Sequence, residues 1–175
     1  MKKMLAVVLS LCLMLSAVAV FAEAAAPKEI NWSDYTEQAS KVNGELVHIN
    51  STDLQIFVPA EFKDNEISAE AAQKGNFLLL TAEDGKAAVN GQIAPMSLDT
   101  FMAGVGQQAQ NVTQLKINGI LCTNFNLVNS GVLSTCIAIN TDQNSTLLFS
   151  FTPANQDPYT NLIRIMVASL QHEQK

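Results

Sequence analysis

The sequence predicts an α+β fold in which helices cover an antiparallel sheet. Three observations carry that prediction. Four strand-like segments follow one another over 112–152, separated by short turns. Two amphipathic helical stripes flank them, one at 98–110 and one starting at Asp157. The composition, 48% hydrophobic and 15% charged over 175 residues, suits one packed domain and is short for two.

The chain opens as an address. Lys2 and Lys3 precede an almost wholly apolar run over 5–21, and the small residues Ala22, Ala24, Ala25 and Ala26 follow. This is the layout of a secretory signal peptide, 1–22, with cleavage after Ala22 or after Ala24. The apolar run, about 17 residues, is at the lower edge for spanning a hydrocarbon core of ~30 Å. Lipidation at Cys12 is rejected, because Leu11 before it is not small and the apolar run continues past it. The Lys-Lys start has a bacterial look. No second stretch is apolar enough to cross a bilayer, so an exported protein, secreted or periplasmic and with no membrane contact after cleavage, is expected.

Residues 23–44 are expected to form a leader and a short helix, and 45–175 a single α+β domain. Over 33–42, Ser33 offers an N-cap, Asp34 and Glu37 sit near the positive helix start, and Asn43-Gly44 ends it. Two strands, 45–50 and 54–58, flank a turn at Ser51-Thr52-Asp53, and Pro59 stops the second. A short helix over 68–74 is closed by Gly75. Strand 77–82 returns as 86–92 around the hairpin signal Asp84-Gly85.

The helix at 98–110 has Ser97 as its cap and an apolar stripe of Leu98, Phe101, Met102, Val105 and Ala109. Gly104 and Gly106 each weaken it by ~1 kcal/mol, and close packing on a sheet would account for them. Asn118-Gly119 is the strongest turn signal in the chain and joins strand 112–117 to strand 120–128. Strands 132–140 and 146–152 follow. Bulk falls mostly on odd positions (Leu121, Phe125, Ile137, Ile139, Leu147, Phe149, Phe151), so one face is expected to pack on a core while the other is wetter. Asp157 as N-cap and Pro158 at the first helical position begin a last helix. Its buried stripe is Tyr159, Leu162, Ile163, Met166 and Leu170.

Cys122 and Cys136 fall on neighbouring strands of one hairpin. Both are even-numbered, which puts them on the same face if the loop centres on Asn129, directly opposite one another. A bulged turn with Gly131 left-handed would make them diagonal neighbours. Either arrangement meets the ~4.4–6.8 Å Cα separation of a disulfide. Closing a loop of about 15 residues is worth ~3 kcal/mol in the entropy model. A Cys122–Cys136 bridge is the expectation for an exported chain, and two free thiols the alternative.

Little else carries chemistry. A net charge of −6 argues against nucleic acid as a partner. His48 lies within a strand, and His172 near the C-terminus is expected to complement a negative helix end. Neither has a partner at metal-ligand spacing, and no nucleophile elbow or phosphate loop occurs, so no catalytic, metal or cofactor site is assigned. The carboxylate pairs Asp64 with Glu66 and Glu83 with Asp84 fall in predicted loops, as solvated surface. Arg164, the one arginine, is expected to pack its stem beside the core. Trp32 and Tyr35 are expected to fasten the N-terminal helix to the sheet. The acceptor patterns at Asn50, Asn111 and Asn144 are read as incidental to an Asn-rich surface.

The run Leu54-Gln55-Ile56-Phe57-Val58-Pro59-Ala60-Glu61-Phe62 resembles the strand, proline and aromatic opening of PsbP-like domains. The helix at Ser97, the turn Ile117-Asn118-Gly119-Ile120 and the closing Ser169-Leu170 resemble later elements of that family in the same order. The resemblance covers about 45–171. It implies an α/β/α sandwich and a binding or accessory role without an activity of its own, and it transfers no functional residue. The expectation is therefore an exported, monomeric, non-enzymatic binding or accessory protein with a protein or small-molecule partner. A small hydrolase using the loop carboxylates, or an inhibitor presenting residues 93–96 to a secreted enzyme, are the alternatives.

Overall fold

The computed structural model describes residues 26–49, 52–141 and 143–173. The expected signal peptide 1–22, both cleavage positions and Ser51 of the expected turn lie outside the described residues.

Among the described residues, eleven strands form two sheets. The large sheet contains β1 (Lys28–Ile30), β4 (Phe62–Asp64), β5 (Asn76–Ala82), β6 (Ala88–Ala94), β7 (Gln110–Ile117), β8 (Ile120–Asn129), β9 (Val132–Asn140) and β10 (Thr146–Thr152). Its order is β1-β7-β8-β9-β10-β6-β5-β4. All of its pairings are antiparallel except β1 with β7, which is parallel. The small sheet is β2 (Gly44–His48), β3 (Leu54–Pro59) and β11 (Gln171–His172), in the order β11-β3-β2. The helices are α1 (Thr36–Ala39), α2 (Ala69–Gln73), α3 (Leu98–Val105) and α4 (Tyr159–Ser169).

The main core lies on one face of the large sheet. Ile137, Ile139, Leu147, Phe149 and Phe151 meet Ile163 and Met166 of α4 and Leu54 and Ile56 of β3 there. The opposite face is covered by α3, whose Leu98, Phe101, Met102 and Val105 rest on Phe125, Cys136 and Ala138. Helix, sheet and helix are therefore the layers, with the small sheet added beside α4, and the α+β sandwich expected from the sequence is what forms. On its other flank α4 presents Ile165 to Phe57, Ala39 and Trp32, and the Trp32 and Phe57 rings lie 5.8 Å apart. Trp32 thus fastens the N-terminal segment as expected.

One expectation fails in β8. Asn129 pairs with Val132, which leaves only Ser130 and Gly131 in the turn, both at positive φ. That is the backbone of a two-residue hairpin loop, and it sets odd residues of β8 opposite even residues of β9. Phe125 consequently pairs with Cys136 and faces α3, while Ile120 and Cys122 enter the main core. Leu121, expected to be buried, is 59% exposed. An odd shift in register exchanges the faces of a whole strand, and the turn centres between Ser130 and Gly131, past the expected Asn129.

Other differences are local. The segment ahead of residue 31, expected to be a leader, supplies β1, which pairs with Leu115–Ile117 across the fold. The helix expected over 33–42 divides into a 3₁₀ turn (Trp32–Asp34) and α1, and the Ser33 side chain caps neither. Ser68 and Ser97 do cap α2 and α3, by accepting from the backbone N–H of Ala71 and Thr100. Pro158 takes the cap position of α4, whose start has no side-chain cap, so Asp157 does not serve as one. Strand β4 was not anticipated, because three residues beside Pro59 carry no periodicity.

Asn118 joins three parts of the chain. With φ of 47° it occupies the left-handed region together with Gly119, as the β7–β8 turn requires. Its Oδ1 accepts from the Trp32 backbone N–H at 2.6 Å. Its Nδ2 donates to the carbonyls of Ala168 and Leu170, at 2.8 and 2.9 Å, at the end of α4. N118A removes these bonds, leaves two half-buried carbonyls unpaired and places alanine at positive φ. A loss of about 3 kcal/mol is expected in urea unfolding, and an unchanged midpoint would contradict the bridging role.

Gly104 is different. A Cβ there meets nothing within 4 Å, so close packing on the sheet does not explain it, and Gly106 ends α3 at φ 53°. G104A is expected to raise stability by roughly 1 kcal/mol in the same assay; destabilisation would show that the site is crowded.

Candidate functional site

An open cleft of about 590 Å³ lies where the small sheet meets one end of the large one. Its floor is apolar. Leu54 of β3, Ile120 of β8, Ile139 of β9 and Leu147 of β10 are all buried, and Ile93 of β6 is half-buried. These strands bring their inward residues to one end because β9 and β10 keep a common parity (Leu147 pairs with Ile139) and the β8 turn brings Ile120 to the same face.

The rim is polar. On one side the segment after β9 closes a tight turn: Thr141 and Ser145 share a hydroxyl contact at 2.7 Å, and the Thr141 backbone N–H donates to the Ser145 carbonyl. On the other side β11 pairs with β3, setting His172 opposite Leu54. His172 Nδ1 lies 2.8 Å from Asp53 Oδ2, and the Glu173 N–H donates to the Asp53 carbonyl. His172 is therefore a strand residue that holds the cleft mouth, and it does not complement the end of α4. His48, exposed on β2, stands 3.5 Å from Glu173. Among the described residues neither histidine hydrogen-bonds to a hydroxyl or thiol, and no cluster of three metal-ligating side chains occurs. The arrangement can seat an apolar group on the floor and hydrogen-bond its polar end at the rim.

The cysteines expected to pair lie on opposite faces of the large sheet. Cys122 sits in the main core, 1% exposed, and Cys136 beneath α3, 0% exposed. Both are free thiols. The expected bridge rested on shared parity, which the two-residue turn removes. Burial pushes the Cys122 thiol from its ordinary 9.0 up to about 11, and burial also raises that of Cys136, against a hydrogen bond with Ser150 that lowers it. Protonated, sealed thiols are poor nucleophiles.

The expected carboxylate pairs stay apart from the cleft. Glu83 pairs with Lys63 at 3.0 Å and Asp84 with Lys86 at 3.4 Å, all at the surface. The Tyr159 hydroxyl and the Lys86 backbone N–H hold the Asp84 carboxyl below its ordinary range, and Asp84 raises Tyr159 in turn. Asp64 ends β4 rather than lying in a loop, and Glu66 is exposed. Of residues 93–96, Ile93 and Ala94 belong to β6 and pair with β10, and the Met96 carbonyl accepts from buried Thr146. That segment is tied down rather than presented.

Sequence reasoning missed the cleft because its mouth joins Asp53 to His172 across 119 positions through a two-residue strand. Only the apolar alternation of β9 and β10 pointed to its floor.

The layered architecture defines a class by fold alone, an α+β sandwich with helices on both faces of an antiparallel sheet. No family model matches the chain, and no curated protein matches it in sequence. Among solved structures it is similar to CyanoP, the cyanobacterial PsbP of Synechocystis sp. PCC 6803. That likeness has a TM-score of 0.54 and 12% identity, and covers 75% of this chain and 94% of CyanoP. Looser likenesses are to a protein of Bacteroides thetaiotaomicron (TM-score 0.45, 15% identity, 70% of this chain and 46% of that one) and to LpqN, involved in cell envelope biogenesis of Mycobacterium tuberculosis (0.43, 10%, 83% and 99%). The likeness to CyanoP confirms the fold anticipated from 54–62 and the elements after it.

The free thiols give a direct test. In the folded protein Cys122 and Cys136 are expected to resist alkylation near pH 8 and to react fully on denaturation; a mass two hydrogens short, showing a bridge, would refute the assignment. The fold holds Cys122 protonated above the pH at which an unfolded thiol ionises. Its contribution to stability is thus complete below pH 9.0 and lost as pH rises toward about 11. C122A is expected to remove that part of the alkaline decline in thermal melts.

Proposed function

We propose that this chain is an exported, non-enzymatic binding or accessory domain whose cleft receives an apolar group of its partner. The cleft carries this reading: about 590 Å³ with a floor of buried aliphatic residues and a rim of hydrogen-bonding side chains is the make-up of a ligand pocket. Export rests on the basic, apolar and small-residue order of the first 26 residues. The domain is expected to act as a monomer.

A thermal-shift screen of small apolar compounds tests the reading. Gln143 is exposed on the rim, so Q143W fills the mouth without touching the core. Compounds that raise the melting temperature of the wild-type chain are expected to lose that effect in Q143W. Shifts that persist in Q143W, or turnover of a substrate by the purified protein, would overturn the proposal.

A further inference from the structure

A second concavity surrounds the one arginine. Arg164 projects from α4 and lines two adjoining hollows, of about 490 and 290 Å³, which also share Ile30 and Tyr35. Neither hollow shares a residue with the cleft described above.

The outer hollow is charged. Lys28, Glu29, Asp34 and Arg164 all border it. Glu29 is taken up by Lys116 at 3.1 Å. Among the described residues neither Lys28 nor Arg164 forms an ion pair or side-chain hydrogen bond, which leaves two cations facing the single uncommitted carboxylate of Asp34. In a chain of net charge −6 this is a local positive spot. The inner hollow is greasy: Ile30, Leu115 and Val167 are only partly buried and expose aliphatic surface along it, beside buried Ile163. Asn124, Thr135 and Thr160 add neutral polar groups to its wall.

We infer that this slot binds a small aliphatic carboxylate. The guanidinium of Arg164 receives the carboxylate through two parallel N–H donors, and Lys28 adds positive potential. The tail lies between α4 and the sheet, over Ile30, Leu115 and Val167. A single anionic head fits the excess of one positive charge, and the apolar hollow next to it separates an amphiphile from an inorganic anion. The inference is independent of the cleft and its partner.

Octanoate is the probe, titrated calorimetrically into the full chain, with 1-octanol and acetate as head-less and tail-less controls. Octanoate is expected to bind saturably in the millimolar range or tighter, and acetate at least about tenfold more weakly. Arg164 is exposed, so R164Q leaves the core intact; it is expected to weaken octanoate about tenfold or more and to leave 1-octanol unchanged. Q143W is expected to leave octanoate binding intact, because it blocks only the other cleft. The inference is overturned if octanoate does not bind saturably, if R164Q has no effect on it, if R164Q weakens 1-octanol equally, or if Q143W abolishes octanoate binding.

Discussion

The length of one turn sets the interior of this protein. Ser130 and Gly131 alone join β8 to β9, and both sit at positive φ. This fixes the strands with opposite numbering parity, so that Phe125 and Cys136 look toward α3 while Cys122, Ile137 and Ile139 look toward α4. Because side chains alternate strictly along a strand, no local adjustment can mix the two sets. The two cores, the separation of the thiols and the exposure of Leu121 are all consequences of that one count.

Asn118 performs the complementary task across the layers. Its turn is needed to reverse β7 into β8, but its carboxamide also bonds the Trp32 N–H and the last carbonyls of α4. Ser169 does the same nearby: its hydroxyl accepts from the Phe57 N–H and donates to the Met166 carbonyl, fully buried. Two small polar residues thereby satisfy helix-end groups that would otherwise lie unpaired among apolar side chains. They also hold the N-terminal segment, α4 and β3 in one arrangement, and with it both hollows that α4 and β3 border.

Much of this was legible in the sequence. Strands β9 and β10 fall on their predicted bounds, because alternation and turn residues agree there. Ser97 caps the helix it was expected to cap. What escaped was what local pattern cannot encode. Strands of two or three residues, such as β1, β4 and β11, form only because a partner lies far along the chain. The turn at Asn129, Ser130 and Gly131 admits several centres, and the composition does not choose between them. The cleft and the Arg164 slot are both assembled from distant segments, so the sequence showed their residues singly and as bland surface or core.

The parallel strand at Lys28–Ile30 has a consequence for how the molecule comes into being. It closes the edge of the sheet against Leu115–Ile117, and Phe57 awaits a hydroxyl 112 positions later. The early partners exist long before the late ones, so neither contact can reward the first part of the chain by itself. Such topology slows collapse into the final form.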